Sequence, residues 1–202
     1  GHAVWCARHL IGDEPVAIIL ADDLIHGGNT IKEMIDNYNS GNMLAVMDVD
    51  KKEVSSYGVI SPGKLIDNNV TEILGLVEKP SIEKAPSNMA VVGRYIIEPA
   101  VFEVLEKQNR GSSNEIQLTD AIASRIGKSN CVGYKFSEQR FDCGSKLGFI
   151  QANIRFSIER PEMKQNLKSW LKLEIFSDDW CISILLITQF FDHTILEVFM
   201  EK

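Results

Sequence analysis

Four cysteines are spread over the 202 residues, and none stands in a CxxC pair. Cys6, Cys131, Cys143 and Cys181 give neither a disulfide framework nor a thiolate metal site, so a reducing cytoplasm is the expected location. The four histidines, His2, His9, His26 and His193, form no HxH or HExxH grouping, which argues against zinc. No GxSxG elbow and no GxxxxGK[ST] loop is present, so serine-hydrolase and P-loop chemistry find no support. Positive charge is scarce. Lys and Arg number 21 against 28 acidic residues, the net charge is -7, and no basic run exceeds Lys51-Lys52. A surface that tracks nucleic-acid phosphates is therefore not expected. Long apolar runs are missing too: Cys181 to Phe191 is too short to span a bilayer and contains Ser183, Thr188 and Gln189, so no membrane partner is expected. No charged leader precedes an apolar segment, there is no initiator Met, and no internal repeat appears.

What is present is enough apolar surface for a core. Hydrophobic residues make up 45% of the chain, which excludes disorder as its general state. Ala3, Cys6, Ala7 and Leu10 recur at helical spacing over His2 to Leu10. Val16 to Leu20 is apolar without alternation, which predicts a central parallel strand covered on both faces. A Gly27-Gly28-Asn29-Thr30 turn leads to a helix bearing Ile31, Met34, Ile35 and Tyr38, and Met43 to Val49 reads as the next strand. Strand, helix, strand at this spacing indicates an α/β fold. Short strands are expected around Tyr57–Ile60, Ile73–Val77 and Met89–Ile97, parted by turns at Pro62-Gly63, Asp67-Asn68-Asn69 and Ser87-Asn88. Helices follow from Pro99 to Lys107 and around Ile116, Ile122 and Ile126, with a strand from Cys131 to Phe136. Leu147, Ile150, Ile154 and Ile158 define another helix, and Pro161 opens one expected to bury Met163, Leu167, Trp170 and Leu171. Past Phe176 the composition turns β-branched and aromatic. That tail could pack on a second copy, making a homo-oligomer one option.

Three segments could carry chemistry. Asp22-Asp23 follow an apolar strand, where α/β proteins place ligands and where a carboxylate can hold Mg²⁺; the same residues also begin turns by capping backbone N–H groups. Glu78-Lys79 end a strand before Pro80, which biases Lys79 towards extended backbone and would send the two side chains to opposite faces. Glu78 could then accept from sugar hydroxyls while Lys79 reaches phosphate, or both could be solvated turn charges. Asp142 precedes Gly144 and a helix, as a site residue or as that helix's N-cap.

The order of these segments is more specific than any one of them. Gly1-His2-Ala3, Ala21-Asp22-Asp23, Ser56-Tyr57-Gly58-Val59-Ile60, Val77-Glu78-Lys79-Pro80, Ala90-Val91-Val92-Gly93-Arg94-Tyr95, Asn114-Glu115-Ile116-Gln117-Leu118-Thr119-Asp120 and Phe141-Asp142-Cys143-Gly144 together resemble bacterial UTP–glucose-1-phosphate uridylyltransferases, as far as about Lys172. The resemblance implies a Rossmann-like nucleotide-diphospho-sugar transferase fold, with a mixed, mostly parallel sheet flanked by helices. It implies that UTP and glucose 1-phosphate give UDP-glucose and pyrophosphate by in-line attack on the α-phosphorus. By the same resemblance Gly1 approaches the uracil base, and Gly58, Glu78 and Val91 contact glucose. Lys79 meets the sugar phosphate, and Asp22 and Asp142 hold Mg²⁺. The catalytic set so implied is Asp22, Lys79 and Asp142. Asp23 receives no role beyond a loop cap.

The family's glycine-rich triphosphate loop and first strands have no counterpart here. An N-terminally truncated copy, inactive by itself, is therefore expected, with a partial nucleotidyltransferase domain over 1–160, a helix over 161–175 and a tail over 176–202 unlike the family. Two other readings remain. One is a non-catalytic remnant that binds sugar phosphate or a partner subunit. The other is a receiver-like phosphoacceptor domain using Asp48 or Asp50 with Lys79-Pro80, for which too little chain separates Asp23 from Lys79.

Overall fold

The computed structural model describes residues 1–107 and 115–176. They fall into two compact units, Gly1–Phe149 and a second that begins at Ile150. The tail, with Cys181 and the surface considered for self-association, lies outside the described residues.

Unit one is built on a six-stranded sheet. The strands are β1 (Val16–Ile19), β3 (Asn42–Asp48), β4 (Gly58–Asp67), β5 (Val70–Glu78), β6 (Met89–Ile97) and β7 (Cys131–Lys135), in the order β1-β6-β3-β7-β5-β4. Helices α1 (His2–Cys6), α2 (Thr30–Asn37), α3 (Ala100–Lys107) and α4 (Leu118–Ala123) belong to the same unit, while β2 (Asp23–His26) and β8 (Gln139–Asp142) form a separate antiparallel ribbon. The α1 helix is shorter than its apolar spacing predicts, and a 3-10 turn over Arg8–Leu10 replaces its second half.

The α/β class holds, but the share of parallel pairing is corrected. Among the described strands only β3 and β7 pair in parallel; the other described pairings in the sheet are antiparallel. For one pair the reason is loop length: Asn68-Asn69 join β4 to β5 in a two-residue hairpin, which forces these two strands antiparallel, whereas the parallel pair β3 and β7 is far apart in sequence. Both β1 and β3 run antiparallel to β6, so the strand-helix-strand unit is present with β6 inserted between its strands.

A second correction concerns Val16–Leu20. It forms an edge strand rather than a central one, with Ile19 55% exposed. An unbroken apolar run reports what covers its faces in a complete sheet and says nothing of which edge finds a partner. Pro62, read as a turn, sits inside β4 at a register shift opposite Ile73, where an edge strand tolerates a missing N–H.

The core follows the period-two rule. On β3, Leu44 and Val46 face one side with Val91, Tyr95 and Ile97 of β6 and the inner faces of α3 and α4. Met43 and Ala45 face the other side with Val92 and Ile96, covered by Met34 of α2. Strand β3 is buried on both faces for this reason.

A polar clamp ties the far end of the sheet. The Glu98 carboxylate accepts from Asn42 Nδ2 at 3.2 Å, Arg125 Nε at 2.8 Å and Ser129 Oγ at 2.5 Å. Burial by itself would raise its pKa, but these donors outweigh that and hold it below the ordinary carboxylate value. The stabilisation is complete above the unfolded value and drains away as pH falls through the depressed folded value. Glu98→Gln is expected to lower the thermal midpoint at pH 7 and to flatten the acid limb of stability below about pH 4.5, measured by circular dichroism melts across pH.

The remaining described helices are α5 (Lys146–Glu159), within which the unit boundary falls, and α6 (Pro161–Phe176). On α6, Met163 and Trp170 are exposed rather than buried as expected, and Leu167 and Leu171 are partly buried. Helical spacing marks a stripe, and it does not supply the surface that covers it.

Candidate active site

A cleft of about 450 Å³ opens in unit one, and Gly1, Asp22, Gly58, Glu78, Lys79, Val91 and Asp142 all line it. These seven positions come from six separate stretches of chain, so their meeting is a property of the fold.

The acidic end is built by the β2–β8 ribbon, whose register sets Asp23 opposite Asp142. Asp22, one residue before β2, is locked by its carbonyl, which accepts the Cys143 N–H at 2.7 Å. Among the described residues its carboxylate has no hydrogen-bond partner, so it caps no turn. Asp142 accepts the Gly144 N–H at 3.0 Å through Oδ1, and it does not cap α5; Ser145 Oγ does so, accepting the Gly148 N–H at 3.0 Å. A Cβ on Gly144 would lie 3.1 Å from Asp142 Oδ1 and 3.3 Å from Asp22 Oδ2. The two carboxylates thus flank one methyl-sized space that the glycine leaves open. Among the described residues no group of three or more His, Cys, Asp or Glu side chains is placed to hold a metal ion. Two carboxylates beside an open cleft form the donor set that suits Mg²⁺, which keeps several waters and takes its other ligands from substrate phosphate.

Asp23 differs from its neighbour. It is buried and ion-paired to Arg140 Nε, and its second oxygen accepts the Gly93 N–H at 2.8 Å. Arg94 Nη2 donates to its carbonyl at 2.7 Å. It braces the ribbon against β6 and is not a loop cap.

At the other end, Glu78 closes β5. Its Oε2 accepts the Thr119 hydroxyl at 2.7 Å, and a Cβ on Gly58 would press on both partners, at 3.0 Å from Thr119 Cγ2 and 3.1 Å from Glu78 Oε2. Lys79 corrects an expectation. Its φ is 44°, in the left-handed region rather than extended, while its N–H donates to Tyr57 O at 2.9 Å. That turn ends the strand alternation, so Glu78 and Lys79 line the same cleft instead of facing opposite ways. A non-glycine residue held there stores backbone strain, which clusters at functional sites.

Sequence reasoning gave no role to Arg140, Tyr57 and Thr119, which also line the cleft. The available signal for Arg140 was its position two residues before Asp142 on a strand, which gives both the same face. The cleft lining carries four carboxylates, Asp22, Asp23, Glu78 and Asp142, against two cations, Lys79 and Arg140.

The fold and the order of the segments around this cleft are those of one protein family. The family described as nucleotidyl transferase matches residues 1–157, and the chain belongs to it. Among its relatives, UTP–glucose-1-phosphate uridylyltransferase of Staphylococcus epidermidis is 39% identical over 175 residues, 85% of this chain and 60% of the relative. The protein of the same name from Pseudomonas aeruginosa is 42% identical over 157 residues, 75% of this chain and 56% of the relative. A crystal structure of UDP-glucose pyrophosphorylase complexed with UDP-glucose superposes with a TM-score of 0.74 at 41% identity, covering 79% of this chain and 62% of that one. The UTP-bound enzyme from Acinetobacter baumannii gives 0.73 at 35% identity, covering 84% and 60%. The chain thus spans about three fifths of the relatives it matches.

Proposed function

We propose that this chain carries the sugar-phosphate and metal side of a UTP–glucose-1-phosphate uridylyltransferase, the reaction that joins UTP and glucose 1-phosphate into UDP-glucose and pyrophosphate. The observation that carries the reading is the convergence of seven residues, assigned by resemblance alone, on one cleft. Glucose lies over Gly58 and Val91, and one of its hydroxyls donates to the Glu78 carboxylate. The Lys79 ammonium pairs with the sugar phosphate and orients its attacking oxygen. Gly1 gives the base close access, because its Cα packs against the Ile116 carbonyl with no room for a side chain. Asp22 and Asp142 would hold Mg²⁺, which supplies charge neutralisation where two phosphoryl groups approach each other. The remaining catalysis is positioning, and no covalent nucleophile is required.

Two cations among the described lining residues are few for a triphosphate, so the 202-residue polypeptide assayed alone is expected to turn over slowly. Four cysteines without CxxC spacing and a charge balance without basic runs support a cytoplasmic setting and a small-molecule partner over nucleic acid. Among the described residues no helix is long and apolar enough to cross a membrane. The receiver alternative loses ground, since Asp48 is paired with Lys135 at 2.5 Å and the sheet is largely antiparallel.

Calorimetry tests the assignment. The chain is expected to bind UDP-glucose and glucose 1-phosphate, and Lys79→Met and Glu78→Ala are each expected to weaken the latter by about tenfold or more. Unchanged binding in both variants would refute the sugar-phosphate reading. Tight binding with no turnover on UTP would favour a remnant that holds the ligand without the chemistry.

A further inference from the structure

Arg140 has no role in the reading above, yet it touches both halves of the cleft. It precedes Asp142 by two residues on β8, so the two side chains share a face of the ribbon. Its side chain is 10% exposed. Nε pairs with Asp23, the neighbour of Asp22. Nη1 donates to the Tyr57 hydroxyl at 3.0 Å, and the guanidinium carbon stands 5.2 Å from that ring's centroid. Tyr57 in turn accepts the N–H of Lys79 on its carbonyl at 2.9 Å and precedes Gly58. One planar, buried group therefore links the residue beside the acidic pair to the residue that holds the strained Lys79 turn.

We propose that Arg140 is a positioning residue that fixes the separation between the Asp22–Asp142 pair and Lys79. The inference rests on the proposed function, in which the pair takes the divalent cation and Lys79 the sugar phosphate. Guanidinium suits the task because its fork bonds two partners in fixed directions, which a lysine ammonium on a flexible stem does not. Groups standing behind metal-binding side chains set their orientation, and their loss typically costs 10–100-fold in metal affinity. Asp23 is held from the other side by Gly93 and Arg94, so the ribbon stays attached to β6 when the link to Tyr57 is cut.

The test uses the 202-residue chain. UDP-glucose is titrated by calorimetry with and without Mg²⁺ into the wild type, Arg140→Lys, Tyr57→Phe and Asp142→Asn, with thermal midpoints measured alongside. Tyr57→Phe removes one hydroxyl at constant volume and is expected to keep the midpoint within about 3 °C. In Arg140→Lys the Mg²⁺-dependent gain in affinity is expected to fall about tenfold or more, and in Tyr57→Phe severalfold, each by more than the metal-free affinity falls. A merely structural role would lower affinity equally with and without Mg²⁺, and that result overturns the proposal. So does an unchanged gain in Tyr57→Phe, which decides the matter where Arg140→Lys does not fold. A wild type with no Mg²⁺-dependent gain, or an Asp142→Asn that keeps it, overturns the metal reading underneath and the positioning role with it.

Discussion

Asp142→Asn is expected to abolish the Mg²⁺-dependent part of ligand binding and of any turnover, by on the order of 10²-fold, while leaving the fold intact. Asparagine keeps the Oδ1 acceptor for the Gly144 N–H, so the turn before α5 survives, and the substitution removes charge alone. Asp22→Asn should match it in size, since the Asp22 carboxylate has no partner among the described residues and contributes nothing to the turn. The two carboxylates flank one space over Gly144, so on the proposed reading they would act on one ion. The double variant is then expected to lose little more than either single one, because residues that act as a unit are not additive. Binding of Mn²⁺, followed by electron paramagnetic resonance with UDP-glucose present, reads the effect without reference to rate. Independent, multiplying losses in the double variant would show that the two acids serve separate purposes. The charge balance of the cleft gives the same expectation from another side. Four carboxylates face two cations, and a phosphorylated sugar adds to the negative side. Without a divalent cation the bound anion meets net repulsion, which is worth about 1 kcal/mol per close pair in water and several in a drier cleft.

Which parts of this arrangement were legible in the sequence follows from what each signal encodes. Amphipathic spacing found α2 and α3 because one face of each is buried against the sheet, as Met34, Val101 and Leu105 show. Strand positions were readable from apolar runs, but strand direction was not. Val16–Ile19 looks the same whether it is central or at an edge, parallel or antiparallel, since pairing partners come from distant residues. At the acidic end the residue types were ambiguous, since Asp22 and Asp142 read as turn or helix caps as readily as site residues, and only the resemblance set them in one site. Lys79 was legible as a residue and misread as a conformation. Pro80 disfavours a helical residue before it, but the Tyr57 carbonyl selects the left-handed state, and no local rule contains that contact. Arg140 stayed hidden for a similar reason. Its partners, Asp23 and Tyr57, are separated from it by most of the unit, and the ribbon register that joins them is a tertiary fact.

Asp22 and Asp23 are chemically identical neighbours, and the structure gives them opposite work, which stability measurements can separate. Asp23→Ala would strip the paired carboxylate from Arg140 and the acceptor from the Gly93 N–H, both of which are buried. Breaking a buried pair from one side leaves an uncompensated charge and costs about 3–5 kcal/mol. In a unit of this size the thermal midpoint should fall on the order of 10 °C. Asp22→Ala removes an exposed carboxylate with no described partner and should change stability by less than about 0.5 kcal/mol. Asp23→Asn is intermediate, since an amide can still accept from Gly93 while the charge opposite Arg140 is gone. Chemical denaturation of the three variants gives the ranking directly. If Asp22→Ala proves as damaging as Asp23→Ala, the buried brace and the free ligand have been assigned to the wrong neighbours. The expected result has a functional consequence. A residue that spends its charge on Arg140 is unavailable to a cation, so with the guanidinium already satisfied by Asp23 the ribbon leaves the Asp22 and Asp142 carboxylates without an ion-pair partner among the described residues.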